Sequence, residues 1–360
     1  MDSISETDLI QVPIIDFSKE PKALVRGTEG WHLLSQRVRE ACETYGCFEV
    51  VYAKISAHQR AEMFSAIESL FELPLETKRK SFSTNPYVGY AIDVPHIPLY
   101  ESFGIEDASS VDSIKHFTDL MWPTGNDHFR YGCCELRWIM DPTRLRAIDL
   151  FPYDPGSELI RLVANGSCAP SSQSISSMVG GLEELDCIIR RMILDSYSLL
   201  AEDIIPCKYL VRGTKYKAPS MGDYSMGLYA HTDKYLLTIL AEEHVRGLEV
   251  LSKDGQWIPL SPSPNSFVVL VGDLFMAWSN GRLRSAKHRA MIQGFKDRFS
   301  FVSFAVPTEG TVIQAPQKLV DQQHPRAFKD FDSMNFIRFS YSEEAKGLDS
   351  DKQVYAYAEM

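Results

Sequence analysis

The chain has 360 residues, 44% hydrophobic and 24% charged, with a formal net charge of −11. That length supports a sizeable core in one large domain or two modest ones. The acidic balance argues against nucleic acid or an anionic membrane as partner, and no apolar run approaches the length of a membrane span. Seven cysteines form no C-x-x-C pair and read as reduced thiols, and the first ten residues are acidic without an apolar core; a cytoplasmic monomer is expected.

In chain order, Val12 to Ser18 reads as a short strand. Leu34, Val38, Ala41 and Tyr45 recur at helical spacing, with Gly46 as the stop. Cys47 to Val51 follows as a buried strand. Ser56 and Gln59 have the spacing of a capping box opening a second helix, with Met63, Ile67 and Leu70 inward. Pro74 ends that helix, and Glu76 to Lys80 is read as a solvated charge run. Residues 113 to 129 are expected to bring a strand past the active site. From Tyr131 to Pro170 the sequence holds Cys133, Cys134 and four prolines without sustained periodicity, which reads either as a surface excursion or as a translated intron. A helix is expected from Gly181 to Leu200, with Leu182, Leu185, Ile189 and Met192 on one face and Asp186 paired with Arg190.

From Tyr235 the pattern turns to short strands: Tyr235 to Leu240, Gly247 to Leu251, Gln256 to Leu260 and Phe267 to Gly272. Asn280-Gly281 is read as a tight hairpin on the approach to His288. Arg298 to Val306 alternates, with Arg298, Ser300, Val302 and Phe304 facing one way. Residues from about Met334 to Lys346 are expected to be helical, with Phe336, Phe339 and Tyr341 as lid candidates.

The chemistry concentrates between Tyr216 and Ser300. His231 and Asp233 lie two apart, so in an extended segment both side chains share a face; His288 comes 55 positions after Asp233, far enough to return on another strand. Two imidazoles and one carboxylate are the facial ligand set of non-haem Fe(II) oxygenases, which leave other metal positions open. Arg298 and Ser300 again share a face, and a guanidinium beside a hydroxyl suits a carboxylate. A co-substrate that chelates iron at one end and carries a carboxylate at the other fits both groups, as 2-oxoglutarate does.

Taken together, the ordered H-x-D, distal histidine and R-x-S resemble the plant 2-oxoglutarate/Fe(II)-dependent dioxygenases. H-x-D-K at 231–234 and Y-K-A-P at 216–219 resemble the AOP-like branch, whose enzymes modify glucosinolate side chains. The stretches V-P-I-I-D-F, A-C-E-T-Y-G-C-F-E-V-V and L-F-E-L-P-L-E-T-K resemble the N-terminal region of the same family. The resemblance implies His231, Asp233 and His288 as iron ligands, and Arg298, Ser300 and Tyr216 as contacts of 2-oxoglutarate. The asparagine usual two residues before that tyrosine is Thr214 here. Implied cofactors are Fe(II), 2-oxoglutarate and O2, with ascorbate as reductant. Tyr100, Phe117, Lys234 and Phe304 are expected to wall the substrate pocket.

The expected fold is mainly β with flanking helices: a double-stranded β-helix (jelly roll) core with an N-terminal α/β buttress. The division is 1–125 as N-terminal region, 131–170 as insertion, 175–210 as long helix and connector, 211–310 as jelly-roll domain and 311–360 as C-terminal lid and tail. The expected activity is hydroxylation, desaturation or O-demethylation of a small plant specialised metabolite. The alternatives are a gibberellin-type hormone oxidase, or a jelly-roll binding protein inactivated by its insertion.

Overall fold

A computed structural model of the chain describes residues 11–19, 21–85, 87–126, 129 and 175–360. The excursion read at 131–170 lies outside those residues. The N-terminal part comprises β1 (Ile14–Asp16), α1 (Glu29–Thr44), β2 (Cys47–Val51), α2 (Ala57–Phe71), α3 (Leu75–Lys78), β3 (Gly89–Ile92), β4 (Tyr100–Ile105) and α4 (Val111–Met121). Then come α5 (Ile175–Ser196), β5 (Cys207–Tyr216), β6 (Ser225–His231), β7 (Leu237–Glu242), β8 (Leu248–Leu251), β9 (Trp257–Pro259), β10 (Ser266–Val271) and α6 (Asp273–Trp278). The C-terminal elements are β11 (His288–Ile292), β12 (Arg298–Pro307), β13 (Val312–Ile313), β14 (Phe331–Asp332), α7 (Ser333–Ser340), α8 (Glu343–Lys346) and α9 (Gln353–Ala358).

The strands form an eight-stranded sheet, ordered β1-β2-β10-β7-β12-β5-β4-β3, a four-stranded sheet, β6-β11-β8-β9, and a two-stranded pair, β13-β14. Apart from the parallel β1–β2 pair, the pairings are antiparallel. This is the jelly roll expected from the sequence. Strands β1 to β4 join the same sheet as the later strands, so the N-terminal part shares the barrel's core instead of packing as a module.

The helices form where their caps and apolar spacing dictate. Thr28 caps α1 through Trp31 N, and Trp31, Leu34, Val38 and Ala41 are buried. Trp31 Nε1 and Arg26 Nε both donate to Asp195 at the end of α5, at 2.9 and 2.8 Å, tying α1 to that helix. The capping box of Ser56 and Gln59 on α2 is complete, and Met63, Ile67 and Leu70 point inward. Arg60 is buried beside them: its guanidinium donates to the carbonyls of Ser266 (2.7 Å) and Glu242 (2.6 Å) and lies over Phe267. An arginine on an apolar helix face is tolerated here because strand-end carbonyls accept its hydrogens.

Three expectations are corrected. Residues 113–129 supply a helix, not a strand: Ser110 caps α4, and Ile114, Phe117, Thr118 and Met121 bury one face at helical spacing. The charge run at 76–80 is not wholly solvated, since Lys78 is buried with its Nζ 2.5 Å from Glu101 Oε1 and 2.9 Å from the Phe71 carbonyl. Asn280 and Gly281 take left-handed φ angles of 57° and 77°, but they close the end of α6 and make no hairpin. In addition, β5 starts at Cys207, inside the stretch read as a connector.

The cap on α2 gives a direct check. Ser56→Ala should lower the stability of the folded chain by about 1 kcal/mol in denaturant titration, with catalysis unaffected.

Candidate functional site

His231 ends β6 and His288 begins β11, and the two are register partners across the antiparallel pair. Their rings lie with centroids 4.3 Å apart. Asp233, two residues past His231, brings its carboxylate 3.7 Å from His231 Nε2 and 3.9 Å from His288 Nε2. One ligand atom from each of the three lies within 4.8 Å of the others. Each imidazole Nδ1 sits 2.9 Å from a main-chain carbonyl, Tyr229 O for His231 and Ala286 O for His288. A carbonyl only accepts, so Nδ1 carries a proton and Nε2, the atom turned toward Asp233, is the one left to bind a metal. Burial, and after it His288, pushes the His231 imidazole down to about 4, so it is neutral at neutral pH. Thr238 donates to Asp233 Oδ2 at 2.5 Å and fixes the carboxylate. This donor set fits a divalent iron with positions left open.

Behind the triad lies a fully buried carboxylate, Asp273, at the start of α6. It accepts from Lys234 Nζ at 2.7 Å, Thr232 Oγ1 at 3.1 Å and Ser285 Oγ at 2.6 Å. Burial raises its carboxyl from the ordinary value, opposed by Lys234, Ser285 and Thr232. Lys234 Nζ also donates to Ser350 O and Oγ, both at 2.8 Å, and Thr232 N donates to Ser350 Oγ at 3.0 Å. Lys287, next to His288, pairs with Asp351 at 2.7 Å. The C-terminal segment therefore grips both ligand-bearing stretches at residues adjacent to the ligands.

On the large sheet, Arg298 opens β12 opposite Tyr216, and Ser300 pairs with Thr214 on one side and Glu242 on the other. Register and alternation put Arg298, Ser300, Val302 and Phe304 on the same face as Tyr216, Thr214 and Arg212 of β5, Tyr100 and Ser102 of β4, and Thr238 and Glu242 of β7. Because Thr238 bonds to Asp233, this face turns toward the triad. Arg298 is 1% exposed and stacks over Tyr216, 4.9 Å from guanidinium carbon to ring centroid. Its Nε donates to Glu242 Oε1 at 3.0 Å, and its Nη2 bonds to the same oxygen. Arg298 Nη1, Glu242 Oε2 and Ser102 Oγ are buried without a partner. Orphaned polar atoms on a face otherwise satisfied fit a polar co-substrate. Gly247 makes room for Arg298: a Cβ there would lie 2.4 Å from the Met291 carbonyl and 3.0 Å from Arg298 Cδ.

Of the residues expected to wall the pocket, Tyr100 and Phe304 share this face. Tyr100 packs edge-on against Tyr216 with centroids 5.7 Å apart, and Phe304 lies 5.7 Å from Tyr87 and from Tyr235. Phe117 is instead in the helical layer, against Phe103 (5.9 Å) and Phe129 (5.8 Å). Lys234 is turned into the Asp273 network, where its hydrogens are taken up. Sequence reasoning missed Arg212 and Glu242. Arg212 donates to Tyr100 Oη at 3.0 Å and lies over Tyr87, 5.3 Å from its centroid. Burial opposes its charge, while Tyr100, Tyr341, Tyr87 and Tyr235 raise its pKa. Its place four residues before Tyr216, on the same strand face, was the available signal.

Fold and site thus define the class: a jelly roll carrying the His-Asp-His set of the non-haem iron oxygenases. A model of the 2OG-Fe(II) oxygenase superfamily matches residues 202–307, and one for the N-terminal region of non-haem dioxygenases in morphine synthesis matches 12–131. The chain is 34% identical over 354 residues to a protein named as a probable 2-oxoglutarate-dependent dioxygenase, AOP1.2, of Arabidopsis thaliana, covering 96% of each. The crystal structure of the rice dioxygenase for auxin oxidation superposes with a TM-score of 0.71 at 27% identity, covering 97% of this chain and 100% of that one. The Arabidopsis thaliana counterpart, solved as a complex with 2-oxoglutarate, gives a TM-score of 0.68 at 26% identity, covering 88% and 100%. The chain belongs to the 2OG-Fe(II) oxygenase superfamily, within its AOP-like branch, and is an Fe(II)/2-oxoglutarate-dependent dioxygenase. Among the described residues, no helix is long and apolar enough to cross a membrane.

The buried network makes a testable demand. Lys234→Met leaves Asp273 buried without its cation, so stability should fall by about 3–5 kcal/mol. Affinity for Fe(II), or for Mn(II) as a redox-inert probe, should fall with it in calorimetric titration.

Proposed function

We propose that His231, Asp233 and His288 hold the iron, that Arg298, Ser300 and Tyr216 hold the distal carboxylate of 2-oxoglutarate, and that the oxidised substrate is a small organic anion with an aromatic or apolar body. The observation that carries the substrate reading is Arg212. Its guanidinium sits among Tyr87, Tyr100, Tyr235 and Tyr341, on the sheet face that also carries Arg298 and Ser300. Aromatic rings supply apolar area, and a guanidinium among them prefers a carboxylate or sulfate. The solved relatives named for auxin oxidation, with similar folds, accord with a small substrate.

Each group has a defined task. Both histidines leave Nε2 for the metal, because their Nδ1 atoms are engaged by carbonyls. Thr238 holds Asp233 in one rotamer. Arg298 and Tyr216 orient the co-substrate, and the Tyr87–Tyr235–Phe304 ring cluster keeps water from the reacting bond. When bound, iron and O2 supply the oxidising power that converts 2-oxoglutarate to succinate and carbon dioxide and oxidises a C–H bond of the second substrate. Hydroxylation, desaturation and O-demethylation are all outcomes of that chemistry. Residues 211–310 are taken as the catalytic unit, which the family match at 202–307 supports.

The purified full chain with Fe(II), ascorbate and 2-oxoglutarate should release succinate, and anionic aromatic metabolites should accelerate the release. His288→Ala should abolish metal binding and turnover with the fold intact. Arg298→Lys keeps the charge but loses the fork, so 2-oxoglutarate affinity should weaken by roughly 1.5–3 kcal/mol. Arg212→Met should raise the KM of an anionic substrate roughly tenfold or more. An unchanged KM in that variant would remove the anion reading while leaving the dioxygenase chemistry standing.

A further inference from the structure

Glu242 stands where a second anion is least expected, inside the clamp that is to receive a carboxylate. It is the last residue of β7, in register with Ser300, and 0% exposed. Its Oε1 accepts from Arg298 Nε at 3.0 Å, from Arg298 Nη2 and from Leu248 N at 3.2 Å. Arg60 approaches from the helix side but bonds to the Glu242 main-chain carbonyl, at 2.6 Å. The carboxylate is therefore answered by Arg298, and one edge of the guanidinium is already occupied. What remains for a ligand is Arg298 Nη1, buried without a partner, beside the Tyr216 hydroxyl, which itself bonds to the guanidinium, and Ser300 on the same face. Beside these donors stands Glu242 Oε2, an acceptor that is also buried and unpartnered.

We propose that Glu242 is a specificity-determining residue for the co-substrate: by neutralising Arg298 it weakens the clamp's hold on a distal carboxylate and narrows its preference for a charged over an uncharged distal group. This rests on the assignment of Arg298 made above. An incoming carboxylate meets an ion pair instead of a free cation, in a setting where charges are poorly screened. It also meets the orphan oxygen Oε2, which repels a carboxylate but would accept from a group carrying an N–H. A primary amide offers both a carbonyl for Nη1 and an N–H for Oε2. The clamp as built thus suits a distal amide nearly as well as a distal carboxylate. Replacing Glu242 by glutamine keeps the acceptor for Nε, removes the negative charge and turns the orphan acceptor into a donor.

The test is anaerobic calorimetry on the full chain loaded with Fe(II), titrated with 2-oxoglutarate, with 2-oxobutyrate, which has the same chelating end but no distal carboxylate, and with 2-oxoglutaramate, the distal amide, whose affinity is referred to its open-chain fraction measured by NMR because much of it closes to a lactam in water. In wild type, 2-oxoglutaramate should bind within about tenfold of 2-oxoglutarate. Glu242→Gln should tighten 2-oxoglutarate about tenfold and leave 2-oxobutyrate unchanged. A residue that only props the strand would move both ligands together, so equal shifts, or weaker 2-oxoglutarate binding in Glu242→Gln, overturn the proposal. The wild-type amide comparison stands even if the variant does not fold, and a preference for 2-oxoglutarate over the amide of about a hundredfold or more overturns it as well. If Arg298→Gln binds 2-oxoglutarate as wild type does, the clamp assignment falls and takes this proposal with it. An inert Glu242→Gln beside a damaging Arg298→Gln overturns the proposal alone.

Discussion

A single buried carboxylate holds the centre of this molecule in place. Asp273 has no solvent to share its charge, so it depends on Lys234, Thr232 and Ser285. Those donors come from two stretches far apart in sequence, one carrying His231 and Asp233, the other leading to His288. An ion pair this deep contributes little net stability compared with apolar packing, but breaking it is expensive. Its value here is geometric: two loops that could drift independently share one acceptor. The register of β6 with β11 then sets His231 opposite His288.

Arg298 and Ser300 are secured differently. β12 lies between β5 and β7, hydrogen-bonded on both sides, and a slip of one residue would turn Arg298 and Ser300 to the opposite face. The His-Asp-His triad thus sits on a small sheet closed by a buried polar hub, and Arg298 and Ser300 in the middle of a large one. The face they share is lined with tyrosines, so apolar area and hydroxyl donors are interleaved along it.

Much of this was legible in the sequence, for definable reasons. Spacings of two residues on strands reveal shared faces, which is why His231 with Asp233 and Arg298 with Ser300 could be paired on paper. The capping box at Ser56 and the apolar stripe of α5 are local signals, and they survive folding unchanged. What could not be read was side-chain destination across long sequence distances. Lys234 follows the H-x-D motif and invited a place in the pocket, but its partners are Asp273 and Ser350, 39 and 116 positions away. Glu242 sits in a pair of glutamates of which one is fully buried and the other is not, a difference set by tertiary pairing with β12. Phe117 was assigned to a strand and lies on a helix, because the Ser110 cap outweighed the polar residues around it. Asn280-Gly281 carried a strong turn signal, and the turn is there, at a helix end.

The grip of the C-terminal segment on both ligand stretches has a thermodynamic corollary. If Ser350 and Asp351 help hold Thr232, Lys234 and Lys287 in the arrangement a metal needs, then a bound metal must hold Ser350 and Asp351 in return, by the same free energy. Occupancy of the iron site and attachment of the tail are one equilibrium observed at two ends. The tail also carries Tyr341, which reaches the ring of Tyr87 at 5.5 Å, so the tyrosine-lined face shares in that equilibrium. The backbone around Ser350 is therefore a place on the surface where the state of the buried metal can be read by hydrogen exchange, without reference to any substrate.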